Sequence, residues 1–233
     1  MKTLGAILAA LALLGGCSSC PCPCDCNCSG DAAKAGSQDK PPAPKADEGE
    51  SLFDGKTLGK WKSAEFGGEG KVEAKDGELR VAEGAAVSGV TWSGGELPKM
   101  DYELTLEAKK IEGGDFFCGI CFPVGKEHCS LVAGGWGGMV VGLSSIDGMN
   151  ASENDTTKIK EFAKEKWYTF RLKVSAAKIE AWIDGQKMID QELKDHQVSL
   201  HPAMELLKPL GLATYTTTSA FRNIRLRRLK DGK

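Results

Sequence analysis

The segment Gly134-Gly135-Trp136-Gly137-Gly138 is the part of this 233-residue chain best suited to touching a ligand. Glycines let another molecule approach the backbone closely, and a lone indole offers a flat apolar face on which a ring can stack. The same segment can equally be a glycine-rich turn whose tryptophan covers the core. Around it lie groups able to move protons. Asp115 opens an apolar stretch, Asp147 and Glu153 fall in loop-like sequence, and His128 is of the type that titrates near neutral pH. A carboxylate pair could divide general-acid and general-base work. Asp115, Asp147 and Glu153 are therefore the catalytic candidates, and Trp136 and His128 the ligand-binding ones. No spacing among them is diagnostic, and each is also compatible with an exposed loop residue.

Trp167 and Trp182 extend the binding set. Each falls on the polar side of an alternating run, opposite Phe170 and Leu172 or Ile179 and Ile183. If that side forms a groove the indoles can stack on sugar rings; otherwise they cover a small second core. Asp54, in Phe-Asp-Gly-Lys, reads as a turn residue accepting backbone hydrogen bonds. His196 and His201 stand too far from any cysteine pair to make a recognisable zinc site, so neither a metal nor a cofactor is expected.

The elements that must position these groups read as strands. Apolar and polar residues alternate in Tyr102–Ala108, at Tyr168, Phe170, Leu172 and Val174, at Ile179, Ala181 and Ile183, and at Ile224 and Leu226. Period two is the mark of half-buried strands. Asp115–Phe122 is apolar on both faces and fits a central strand. Turn signals separate the runs: Lys75-Asp76-Gly77, Glu112-Gly113-Gly114, Val124-Gly125-Lys126 and Asp184-Gly185, the last with the positive φ angles of a tight hairpin. Lys158–Lys166 fits one helical turn or a charged strand edge. Ten or more short strands so spaced predict an all-β sandwich of two antiparallel sheets over 51–229.

The chain begins with a different kind of sequence. Lys2 and the apolar run Leu4–Leu14 are too short to span a bilayer but fit a signal peptide over 1–16. Leu14-Gly15-Gly16-Cys17 resembles a lipobox, so Cys17 is expected to carry a lipid that anchors the chain in a membrane. Ser18 is not the Asp that holds such proteins at the inner membrane of enteric bacteria, which favours an outer-membrane, extracytoplasmic address. Residues 17–50, rich in Cys, Pro and small polar types, read as a disordered tether. With 30 basic and 32 acidic residues the formal charge is -2, which gives no electrostatic reason to bind nucleic acid.

Nine cysteines are unevenly placed. Cys20, Cys22, Cys24, Cys26 and Cys28 alternate with other residues, too close for neighbours to pair without strain. Crosslinking between chains, longer-range pairs, binding of a soft metal by thiolates, or no role at all remain open for them. Cys118 and Cys121, three apart on a strand, point to opposite faces. If a three-residue loop at 124–126 closes a hairpin, Cys121 and Cys129 oppose one another within disulfide reach, in a compartment that permits the bond. Cys118 would then be a buried free thiol.

Three segments carry a family resemblance. They are Leu52-Phe53-Asp54-Gly55-Lys56-Thr57-Leu58-Gly59-Lys60-Trp61; Glu165-Lys-Trp167 through Val174 with Ile179–Gly185; and Gly211-Leu-Ala-Thr with Ala220–Leu226. Together they resemble the 3-keto-disaccharide hydrolase domain family over most of 51–229. The resemblance implies a concanavalin A-like jelly roll and an oligosaccharide or polysaccharide partner. It also implies glycoside hydrolase-like action on sugars oxidised at carbon 3. A non-catalytic, lectin-like module and a structural envelope protein that binds another protein are the alternatives. The middle, Asp115–Ser152, departs from the family pattern. It has no Glu-x-Asp-x-x-Glu, the spacing that sets three acids on one strand face in related jelly-roll glycosidases.

Overall fold

A computed structural model describes residues 49–229. The signal peptide, Cys17, the Cys20–Cys28 tract and nearly all of the tether lie outside the described residues. Within them, fifteen strands follow one another. They are β1 (Glu50–Ser51), β2 (Trp61–Ser63), β3 (Val72–Lys75), β4 (Glu78–Val81), β5 (Val87–Trp92), β6 (Tyr102–Gly113), β7 (Cys118–Val124), β8 (Glu127–Gly134), β9 (Val140–Ser144), β10 (Lys158–Ile159), β11 (Trp167–Val174), β12 (Lys178–Ile183), β13 (Gln186–Glu192), β14 (Gly211–Tyr215) and β15 (Thr217–Arg228). They form two sheets. The first runs β13-β12-β11-β6-β15-β4-β3, with β1 added on β15, so Glu50 already belongs to the sandwich. The second runs β10-β9-β8-β7-β14-β5-β2. The pairings are antiparallel, and the chain is an all-β jelly-roll sandwich.

Alternation built the first sheet as the residues predict. Leu104 faces Leu172 and Leu106 faces Phe170 across β6 and β11, all buried between the sheets. In β15 the alternation breaks: Phe221 and Ile224, three apart, both point inward. A bulge between Arg222 and Arg225, with Asn223 at φ 53°, resets the strand so that both reach the core. The Asp184-Gly185 turn has φ 52° and 77°, the left-handed pair of a two-residue hairpin. Phe117 anchors one end of the core, with its ring centroid 4.8 Å from Phe162 and 5.9 Å from Tyr168. Trp61 and Trp92 meet edge-to-face at 5.2 Å elsewhere in that core.

β7 is the middle strand of the second sheet and is buried along its whole length. Its hairpin with β8 corrects the cysteine expectation. The loop has two residues, Gly125-Lys126, pairing Val124 with Glu127, so Cys121 faces Ser130 and Phe122 faces Cys129. A shift of one residue puts Cys121 on the outer face and Cys129 in the inter-sheet core. No disulfide joins them, and Cys118, Cys121 and Cys129 are buried free thiols. Lys158–Ile159 is a two-residue edge strand on β9, not a helical turn.

The outer faces of the two sheets differ. On the first, Glu103, Glu107, Lys109, Arg171, Glu180 and Arg222 form a lattice of ion pairs. On the second, small residues leave a floor that other segments cover. The 3-10 turn Pro202–Leu207 packs Met204 and Leu207 onto Cys121 and Ala213. The loop after β9 rests Ala151 on Gly142, where a Cβ would lie 2.6 Å from the Ala151 carbonyl oxygen. Gly142 is thus required by this close approach.

Candidate functional site

Between these two covers a cleft of about 340 Å³ opens on the outer face of the second sheet. Its floor is Ser130 and Val132 of β8 and Ser144 of β9, which alternate with the core residues Leu131 and Leu143. Val87, Phe116 and Met204 give apolar walls, and Asp115, Asn150 and His201 bring polar atoms to it. Trp136 and Tyr215 stand at its mouth, 49% and 39% exposed. An apolar pocket with a few convergent polar groups is the usual form of a small-ligand site.

The glycine segment forms a short turn, with the Met139 N–H donating to the Gly135 carbonyl at 3.2 Å. Trp136 sits at φ 46°, ψ 59°, the left-handed region that costs a bulky residue about 1 kcal/mol. The glycines on each side take the left-handed angles the turn also needs, Gly134 at φ 80° and Gly137 at φ 86°. Asp115 holds the turn from below. Its Oδ1 accepts the Phe116 N–H at 2.7 Å and its Oδ2 the Gly137 N–H at 3.3 Å. The Asp115 backbone is fixed by Thr217, whose hydroxyl lies 3.2 Å from its N–H and 3.1 Å from its carbonyl.

His201 caps the 3-10 turn. Its Nδ1 accepts the Ala203 N–H at 3.2 Å, so in the neutral ring Nε2 carries the proton. On the floor, Ser130 donates to the Ser144 carbonyl at 2.8 Å, and Ser144 donates to Asn150 Oδ1 at 3.4 Å. Asn154 braces the loop above, its amide donating to the carbonyls of Leu143, Met149 and Asn150 at 2.8, 3.0 and 2.8 Å. Tyr215 stacks obliquely on Phe116, centroids 5.9 Å apart.

Of the residues singled out in the sequence, the fold brings Asp115 and Trp136 to this cleft. Asp147 and Glu153 do not line it. Asp147 is at a loop tip, where its oxygens take the Gln197 N–H and His196 Nδ1, each at 2.7 Å. The backbone bond from Gln197, then the His196 ring, hold its carboxyl below the usual range. Glu153 accepts the Asn150 N–H at 3.1 Å and closes a turn. His128 shares the sheet face with Ser130 but lies outside the cleft. Its Nε2 is buried with no hydrogen-bond partner, and burial lowers its pKa.

Trp167 and Trp182 lie on the other sheet and do not line the cleft. The Arg171 guanidinium covers Trp182 at 3.6 Å, and Arg222 covers Trp167 at 4.0 Å. The indoles are the faces on which these guanidinium groups of the charged lattice stack. Asp54 is the turn residue its context suggested, accepting the N–H groups of Lys56 and Thr57 at 2.7 and 2.8 Å. Sequence reasoning missed Phe116, Ser130, Ser144, Asn150, His201 and Tyr215. Period two could have flagged Ser130 and Ser144, as polar residues alternating with core residues in strands buried on both sides. Nothing local marks the others. Among the described residues no three His, Cys, Asp or Glu side chains group to hold a metal.

Comparison with known proteins agrees with this architecture. Solved structures of the same fold include a protein of unknown function with a galectin-like fold from Bacillus subtilis (10% identity, 78% of this chain and 97% of that one, TM-score 0.54). Another comes from work on endo-acting O-glycanases of the human gut microbiota (14% identity, 78% and 100%, TM-score 0.51). A third is the Emp46p carbohydrate recognition domain (10% identity, 74% and 90%, TM-score 0.51). No curated protein matches the chain in sequence. A family model does, over residues 48–227, which takes in every residue that lines the cleft and both of its covers. The chain therefore belongs to the 3-keto-alpha-glucoside-1,2-lyase-like domain family.

Proposed function

We propose that the cleft binds a glycoside oxidised to a ketone at carbon 3 and releases its aglycone by elimination. The observation that carries this reading is that Asp115 is the one carboxylate among the cleft-lining residues, with the imidazole of His201 also lining it. Ordinary glycoside hydrolysis calls for two carboxyl groups, set about 5–9.5 Å apart. Elimination beside a ketone calls for one base. The C3 carbonyl acidifies the C2 proton; Asp115 takes that proton, the C2–H electrons form the C1–C2 double bond, and the C1–O bond breaks. The departing oxygen then receives a proton, leaving an unsaturated keto sugar and a free alcohol. In this reading the His201 Nε2–H, left free by the Nδ1 cap, donates to that oxygen, and Trp136 offers the face on which the sugar ring stacks.

The test uses a nitrophenyl 3-keto-α-glucoside and the same glucoside unoxidised. Release from the keto compound alone supports elimination, and Asp115→Asn is expected to slow it by about 10²-fold or more. Trp136→Ala is expected to weaken binding about tenfold while leaving stability unchanged. The second reading is a lectin-like module without catalysis. It is favoured by the engagement of both Asp115 oxygens with backbone N–H groups. Binding of the keto sugar without release would establish it and end the first.

We also propose that the domain works outside the cytoplasm, held at the outer membrane by a lipid on Cys17. Mass analysis of the purified envelope protein is expected to show a diacylglyceryl cysteine at its start, and Cys17→Ala to release the protein from membranes. A soluble wild-type protein would overturn this.

A further inference from the structure

The polar side chains that line the cleft have their acceptors engaged and their donors open. Both Asp115 oxygens take backbone N–H groups, at 2.7 and 3.3 Å. His201 Nδ1 takes the Ala203 N–H at 3.2 Å. Asn150 Oδ1 takes the Ser144 hydroxyl at 3.4 Å, and the Ser130 hydroxyl donates to the Ser144 carbonyl at 2.8 Å. Asn150 Nδ2, in contrast, makes no hydrogen bond among the described residues. An amide nitrogen carries two N–H groups and accepts nothing.

The fold also holds Asn150 in place before any ligand arrives. Its N–H donates to Glu153 Oε2 at 3.1 Å. Its carbonyl accepts the N–H groups of Glu153 and Asn154 at 2.9 and 3.2 Å, and the Asn154 side-chain amide at 2.8 Å. Asn154 is buried, and the same amide bonds the Leu143 carbonyl, so Asn150 is tied to β9. Ser144, on the floor of the cleft, takes the oxygen end of the Asn150 amide and leaves the nitrogen end for a ligand. A donor oriented in advance stabilises charge on an acceptor without reorganising. A ketone at carbon 3 of a sugar only accepts. A hydroxyl there could accept the same bond, but it would bring a proton to carboxylate, amide and imidazole acceptors that are already engaged.

We propose that Asn150 Nδ2 donates to the carbon-3 carbonyl oxygen of the sugar, and that Asn150 thereby sets the preference for the ketone over the alcohol. As Asp115 takes the C2 proton, negative charge grows on that oxygen and the N–H bond to it strengthens. The His201 proton goes to the departing oxygen, so two donors serve the two oxygens that gain charge. That the ligand is a keto sugar rests on the reading of the cleft above; the donor itself can be tested without turnover.

The experiment is titration calorimetry of the full chain with 1,5-anhydroglucitol and with its 3-keto derivative, which has no aglycone to release. The wild type is expected to bind the ketone about tenfold more tightly than the alcohol. Asn150→Asp keeps the shape and an oxygen for the Ser144 hydroxyl but loses the donor, and should bind the ketone no more tightly than the alcohol. Asn150→Ala should lose the preference too, with its affinity for the alcohol within about twofold of the wild type. On the nitrophenyl 3-keto-α-glucoside, Asn150→Asp is expected to lower kcat about 10²-fold and to raise KM no more than about tenfold. A wild type that binds both compounds equally, or neither, would overturn the assignment, as would a preference that survives in Asn150→Asp. Nitrophenol release by the wild type beside a surviving preference would end the role of Asn150 and leave the elimination. A preference lost in Asn150→Asp, without release by the wild type, would do the reverse.

Discussion

Asp115 reaches across twenty-two positions to accept the Gly137 N–H at 3.3 Å, and so ties the turn that carries Trp136 to the start of the central strand. Removing the carboxylate in Asp115→Ala leaves that N–H and the Phe116 N–H without their acceptor. A loss of about 1 kcal/mol in stability is expected, because Asp115 is partly exposed and water replaces part of the bond. Hydrogen exchange at Gly137 should speed up in Asp115→Ala and much less in Asp115→Asn, which keeps a carbonyl oxygen. An unchanged exchange rate in the alanine variant would show that the turn holds itself.

The stacking of Arg171 on Trp182 at 3.6 Å should be worth about 0.5–2 kcal/mol in a double-mutant cycle with Arg171→Met and Trp182→Leu. Neither substitution should alter binding in the cleft, since the pair lies on the other sheet. A variant that loses sugar affinity without losing stability would put the ligand on the wrong face.

Three thiols should be silent in the native protein. Burial pushes the Cys121 thiol up to about 12 and raises Cys118 and Cys129 as well, so thiolate at neutral pH is scarce. Disulfide reagents should modify Cys118, Cys121 and Cys129 only on unfolding, and mild oxidation should leave the melting temperature as it was. Mass mapping that finds a Cys121–Cys129 peptide pair would contradict the register of β7 and β8.

His128 should give the domain an acid sensitivity. Burial lowers its pKa from the ordinary 6.5, and Nε2 has no partner to accept a proton's charge. In the unfolded chain the ring binds a proton near pH 6.5 while the native ring resists it. The unfolded state therefore holds more protons just below that pH, and stability falls as pH drops through 6.5 towards the lower native value. Denaturant unfolding followed between pH 7.5 and 5 should show that loss, and His128→Gln should flatten the curve about 6.5. A slope the variant keeps would assign the effect to other groups.

What could be seen in the sequence is what depends on neighbours along the chain. Tyr102–Ala108, Tyr168–Val174 and Ile179–Ile183 alternate, and a strand with one face buried must alternate. Asp184-Gly185 states its own turn because positive φ at both positions has a local steric cause. The opening and closing motifs carried the family for the same reason, since each is a continuous stretch. Trp136 among glycines and Asp115 at the head of β7 were visible by type. What joins them is a bond between residues twenty-two apart, which no local pattern encodes. The face taken by Cys129 turned on whether one loop held two residues or three. His201 and Tyr215 reach the cleft only because a 3-10 turn and β14 fold back onto β7. Trp167 and Trp182 show the limit most plainly. Alternation placed them on an outer face, but which of two outer faces holds the cleft is set by how the sheets pack and which segments cover them. Those are contacts between distant parts of the chain, and only the tertiary structure decides them.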